Sequence, residues 1–312
     1  MMWMPEHPPT LLRLLTPQLD ATMVFPAVAL LVLIVYLAGV RSLRRRRMPW
    51  PWHRTASFVS GILTVVLVTA TQVMGYSMAL FSVHMFQKMA LSVVAAMLLM
   101  LGAPVSLAIR TLPRRGIGAM CRKLLLAILR SRTARVLAHP VVTTTVFIGS
   151  LYGLYFTPLF DLLMRSSAGN VAMLLLFLGT GILAFGGAFA IGPWPHRASP
   201  GMRLIELSVP GPLHAFFAVV VMMASAPLVK TFAHPPDAWN VDAMTDQLAA
   251  GNIVWGFGEF PTILATVIIY VQWVRSEQRR TPAADRRAEA EFDAYNAHLA
   301  QLAARSSSAT RR

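Results

Sequence analysis

The sequence predicts an all-α, polytopic membrane protein: a seven-transmembrane helix bundle with its N-terminus outside and its C-terminus cytoplasmic. Three observations predict it. The 312 residues are 56% hydrophobic and only 13% charged, whereas a soluble chain is about a quarter charged. Seven apolar stretches are each close to the roughly 20 residues needed to cross a hydrocarbon core about 30 Å thick. Finally, 24 of the 28 Lys and Arg residues fall in alternate connecting segments, which is the pattern of cytoplasmic loops.

The elements follow in order. Residues 1–22 form an outer N-terminal segment, 23–274 the transmembrane domain and 275–312 a polar cytoplasmic tail. The first apolar stretch, 23–40, has no basic segment before it, and Arg44 to Arg47 follow it directly. It therefore reads as an anchor rather than a cleaved signal peptide. Further spans are expected at 56–76, 85–107, 141–159, 171–191, 213–229 and 253–273. The basic segments 41–54 and 110–135, Arg197 with Arg203, and the tail from Arg275 lie on one side. Arg13, Lys88, Arg165 and Lys230 lie on the other. The cluster Pro210-Gly211-Pro212 is expected to delay the sixth helix until Leu213, because proline suits a first turn but not an interior. In the tail, Phe292, Tyr295, Leu299 and Leu302 recur at helical spacing among Glu289, Glu291 and Asp293. They predict a short amphipathic helix over 283–304, read as a strut on the membrane face, a solvated tail or a docking helix.

The net charge of +15 would suggest nucleic acid on a soluble protein. Here the basic residues lie between hydrophobic spans, so no nucleic-acid partner is expected, and their partners are anionic lipids of the inner leaflet. The lone Cys121 excludes an intrachain disulfide and any CxxC pair. No HExxH, P-loop, GxSxG or CxxCH pattern is present, and the chain is read as a non-enzyme.

Ionisable groups inside spans are costly and point to function. The expected ones are His84 and Lys88 in the third span, His214 near the inner end of the sixth and Glu259 in the seventh. His84 and Lys88, four residues apart, share a helix face. Glu259 lies eight residues past Gly251, about 12 Å deep, near the depth of Lys88. The two either form an ion pair, or Lys88 snorkels outward and Glu259 is satisfied locally. Among 18 methionines, Met85 and Met89 flank this region. With His84 they make a candidate Cu(I) set, thioether and imidazole being soft-ion ligands; the other reading is flexible core filler. His214 is placed about 22 Å from the outer surface and so is excluded from an outer site.

The run Ser82-Val83-His84-Met85-Phe86-Gln87-Lys88-Met89, continuing to Leu101-Gly102-Ala103-Pro104-Val105, resembles the third-span signature of the CtaG-like cytochrome c oxidase assembly factors. Further matches are His139-Pro140-Val141-Val142, Ser150 to Pro158, Pro212-Leu213-His214-Ala215-Phe216-Phe217, Asp246-Gln247, Trp255 to Thr262 and Ala294-Tyr295-Asn296. The resemblance implies a multi-pass protein of the bacterial plasma membrane. It would support assembly of a respiratory haem-copper oxidase, with oxidase subunits as partners and copper handled on the outer side. The chain departs from the family pattern at Lys88 and Leu176, where histidines are usual, and at Gly192-Pro193-Trp194-Pro195. A cation beside His84 repels Cu(I), so this is a divergent member. A copper or small-solute transporter and a metal-free interaction protein are the competing readings.

Overall fold

The computed structural model describes all residues except 1–4, 6, 19–22, 114, 190, 196–199 and 310–312. Within helices the side chains of 117, 200, 201, 259–262, 275–288, 298 and 300–309 also lie outside the description. All the long elements are helices, and the described β-pairing is an isolated bridge between Pro17 and Thr71. Five helices are long and apolar enough to cross a membrane: Val24–Arg45, Phe81–Thr111, Ser167–Phe189, Met202–Met223 and Ala243–Val274. The other two expected spans fall on shorter helices, Trp52–Thr69 of 18 residues and Pro140–Tyr155 of 16. The chain divides into two compact units, Met1–Thr266 and Val267–Arg312.

In the first unit, the centre is the rod Phe81–Thr111, more than half buried. It packs against Trp52–Thr69 on one side and Ser167–Phe189 on another. Its regularity is broken twice. Ala90–Ala95 forms a π-helical turn, and Ala103 adopts a left-handed conformation (φ 51°) just before Pro104 restarts the helix. A residue before proline is pushed out of the right-handed helical region. The carbonyl of Gly102 freed at this break accepts the Tyr36 hydroxyl at 2.8 Å. Tyr36 also stacks on Phe58 with centroids 3.8 Å apart, tying three helices together at the break.

The basic segments meet. The guanidinium groups of Arg54 and Arg110 both lie over the Trp50 ring, at 5.2 and 6.0 Å. Arg122 Nε donates to Ile109 O at 3.4 Å. At the opposite end Tyr76 donates to the His7 carbonyl at 2.8 Å and packs on Trp239.

The sixth span departs most from expectation. Helix runs over Pro200–Ser208 and again over Pro210–Met223, with only Val209 between. Pro210 occupies a first turn, where its missing N–H has no partner to lose, so the Pro-Gly-Pro cluster interrupts the helix for one residue and does not delay it to Leu213. The helix ends at Met223 with Ala224 extended, and a helix continued to Pro227 would set the proline ring against the Met223 carbonyl. His214 is thus nine residues, about 13 Å, from the Met223 end and one turn past Pro210.

In the second unit the backbone stays helical to Ala309. The expected 283–304 segment is thus part of a longer helix. Phe292, Tyr295 and Leu299 are exposed on it, and the Leu302 side chain lies outside the described residues.

Candidate functional site

His84 sits one turn into the rod and is 1% exposed. Leu80 before the rod is extended and offers no capping side chain, so the first N–H groups need a partner from elsewhere. Asp246, 165 residues away, supplies it. Its carboxylate accepts Phe81 N–H at 2.6 Å, Ser82 N–H at 3.3 Å and the Ser82 hydroxyl. Neighbouring Gln247 is also fully used. Its Oε1 accepts Leu228 N–H at 2.8 Å, and its Nε2 donates to Val221 and Ala226 carbonyls at 3.3 and 3.4 Å. The pair Asp246-Gln247 therefore brackets the start of the rod and the end of the Met202–Met223 helix.

The ring of His84 is engaged at both nitrogens. Nδ1 lies 3.1 Å from the Ser77 carbonyl, and Nε2 lies 2.9 Å from the Tyr155 hydroxyl. A carbonyl only accepts, so Nδ1 carries the proton, and Nε2 accepts from Tyr155. Phe160, Tyr155 and Phe232 wall the ring at 5.0 to 5.9 Å. Two residues that sequence reasoning leaves without a role, Ser77 and Tyr155, thus set the tautomer. Tyr155 stands in the matched Ser150 to Pro158 run, where one hydroxyl among apolar residues is the available signal.

One residue before Lys88, Gln87 is fully buried. It donates to the Val68 carbonyl at 2.7 Å and approaches Met74 Sδ at 3.2 Å, while its Oε1 accepts from Lys88 Nζ at 3.0 Å. Lys88 is itself wholly buried. This contradicts the alternative in which Lys88 snorkels outward. The Glu259 side chain lies outside the described residues, so the pair with Lys88 remains a proposal. A stability measurement separates the alternatives. Without a carboxylate partner, Lys88→Met is expected to leave thermal stability unchanged or raise it by about 1–2 kcal/mol, since a buried charge is replaced by apolar volume. A loss of about 3 kcal/mol in that variant, reversed by Glu259→Gln in the same chain, is the signature of the ion pair.

The methionines divide. Met85 and Met89 are both fully buried. Met89 Sδ lies 3.4 Å from Nε2 of His214, the residue that sequence reasoning excludes from the site. The length of about 22 Å was counted to a helix end at Val229; the helix ends at Met223, which shortens that length to about 13 Å. Because a thioether only accepts, His214 carries its proton on Nε2. The candidate set of His84, Met85 and Met89 thus meets two different imidazoles. No group of three or more His, Cys, Asp or Glu side chains able to hold a metal occurs among the described residues. The pair best matched to a soft cation is Met89 with His214.

Glu206 is a further residue that sequence reasoning misses, having placed it in a loop. Helix there puts its carboxylate in the lining of a cavity that also contains His214. An arginine three residues before it, Arg203, is the spacing signal for a helical reading.

A family model for the cytochrome c oxidase caa3 assembly factor (Caa3_CtaG) matches residues 34–276. Uncharacterised proteins of Mycobacterium bovis and Mycobacterium tuberculosis are each 35% identical over 304 residues, and one of Mycobacterium leprae is 34% identical. The alignments cover 95% of this chain and 46% of each relative, so the chain spans about half the length of the relatives it matches. No solved structure matches. With its match extending from the first apolar helix into the last, the chain belongs to the cytochrome c oxidase caa3 assembly factor family.

Proposed function

We propose that this chain is an accessory membrane protein for assembly of a respiratory cytochrome c oxidase, acting without catalysis on oxidase subunits in a bacterial plasma membrane. The family match over 34–276 carries the reading. The interlocked polar contacts support a scaffold, since Asp246, Gln247, His84 and Gln87 each spend their hydrogen bonds on tying helices together. The topology proposed with it has seven spans, N-terminus outside and C-terminus inside, counting Trp52–Thr69 and Pro140–Tyr155 among them. The meeting of Arg54 and Arg110 over Trp50 supports the assignment of those segments to one face, where anionic lipids are their partners.

Copper handling is the second reading, and the Met89–His214 contact favours it, because a thioether and an imidazole suit Cu(I) as cargo. Deletion of the gene followed by spectroscopic measurement of assembled oxidase tests the first reading. A loss restored by the intact chain is expected, and an unchanged oxidase level overturns it. Metal analysis of the purified chain tests the second. Stoichiometric copper abolished by Met89→Leu with His214→Phe supports cargo at that pair, whereas copper abolished only by His84→Ala with Met85→Leu puts it at the rod's start. Copper-free protein that restores the oxidase leaves the scaffold alone.

A further inference from the structure

Glu206 and His214 share a cavity of about 60 Å³. Besides the helix that carries Glu206 and His214, four elements wall it: Val93 from the rod, Thr143, Thr144 and Phe147 from Pro140–Tyr155, Phe185 from Ser167–Phe189, and Phe257 from the last helix. Glu206 Oε1 is buried and has no hydrogen-bond partner. His214 spends its Nε2 proton on Met89, so in the neutral ring Nδ1 is a lone pair, and it has no protein donor among the described residues. The Thr143 hydroxyl donates to the Pro140 carbonyl at 2.9 Å, which leaves its oxygen as an acceptor. These acceptors suit an occupant that donates hydrogen bonds. An orphaned buried acceptor beside a void signals an unseen water or ion, and a polar void needs about 10–15 Å³ per water. This one holds several.

The backbones of Glu206 and His214 are eight residues apart along the helix, about 12 Å, a gap that a file of waters would span. Glu206 is the end nearer the arginine-bearing face: Arg203, one turn earlier, donates from Nε to the Ala188 carbonyl at 2.7 Å. Around the cavity Arg203 is the nearest basic group to Glu206 among the described residues, and the lining holds no other charged side chain. On the far side of Gly187, the buried Trp194 Nε1–H also has no partner. A Cβ at Gly187 would stand 3.6 Å from both Trp194 Nε1 and Glu206 Oε2, so the orphan donor and the Glu206 carboxylate flank the same glycine.

We infer that this cavity is a hydrated inlet, admitting water and small cations from the arginine-bearing face past Glu206 as far as His214. It does not depend on the assembly function, and it requires only that the helix bundle be intact.

Cysteine accessibility tests it on the full chain in membrane vesicles, with the exposed native thiol removed by Cys121→Ser. Thr144→Cys and, in a second chain, Ala184→Cys report from the cavity, and Leu175→Cys from an exposed apolar face of the same bundle. Water-borne thiosulfonates react with thiolate, which forms only where water reaches. Labelling of both cavity positions at least about ten-fold faster than Leu175→Cys is expected. A cationic reagent should react about three- to ten-fold faster than an anionic one of equal size, and Glu206→Gln should remove that preference while the chain still labels. Equal rates at cavity and lipid-facing positions overturn the inlet. A charge preference that survives Glu206→Gln overturns the role of Glu206.

Discussion

Gly181→Ala is expected to be among the most damaging single-methyl substitutions in this chain, lowering stability by about 3 kcal/mol or more. The Ser92 carbonyl oxygen occupies the place where a Gly181 Cβ would stand, and the Ala96 methyl lies 2.7 Å from that point. Ser92 belongs to the π turn of the central rod, so the obstacle is backbone, which cannot rotate aside as a side chain can. Relief requires the Ser167–Phe189 helix to withdraw from the rod. Close approach through small residues is how helices associate in a membrane, where no hydrophobic force drives them together. The same helix supplies the control. Gly179 has open space at its Cβ position, so Gly179→Ala is expected to be neutral or to stabilise by up to about 1 kcal/mol through helix propensity. Fractions remaining monodisperse after graded heating measure both. Equal behaviour of the two variants would show that the rod and this helix are not in contact at Ser92.

Asp246→Ala is the second large effect, with an expected loss of about 2–4 kcal/mol. Truncation leaves the Phe81 and Ser82 N–H groups at a buried helix start without an acceptor. Asp246→Asn keeps one acceptor oxygen and should lose roughly half as much. A double-mutant cycle with Ser82→Ala isolates the hydroxyl contact, and additivity of the two losses would contradict it. Because this cap also holds His84 one turn above the rod's start, Asp246→Ala should broaden the His84 imidazole resonances as well.

Much of the helical layout is legible in the sequence because apolar runs and arginine-rich breaks are local signals. The Ser167–Phe189 helix lies within four residues of its expected bounds at either end. The sixth helix was not legible, since Pro210-Gly211-Pro212 reads as a stop when judged by local propensity. Only the tertiary setting shows that a one-residue interruption at Val209 suffices. The earlier start hid Glu206, and the earlier end at Met223 shortened the length that had set His214 apart. The site residues were found as residue types but not as partners. Nothing in the spacing around His84 announces a hydroxyl 71 positions later, nor a carbonyl at Ser77 reached across the turn preceding the rod. The burial of Lys88 was only one of two readings, because a lysine near a helix end ordinarily snorkels.

The π turn at Ala90–Ala95 acts as a phase shifter. Such a turn accommodates one residue more than an α-turn, so the residues before it are rotated by about 100° relative to a continuous α-helix. His84, Gln87, Lys88 and Met89 all lie before it, and the Gly102–Pro104 break lies after it. The rod can therefore aim its polar first half at Tyr155, Val68 and His214 while its second half keeps an independent heading toward Tyr36 and Phe58. One-residue deletion within the turn would leave every side chain's identity intact and misdirect half of them.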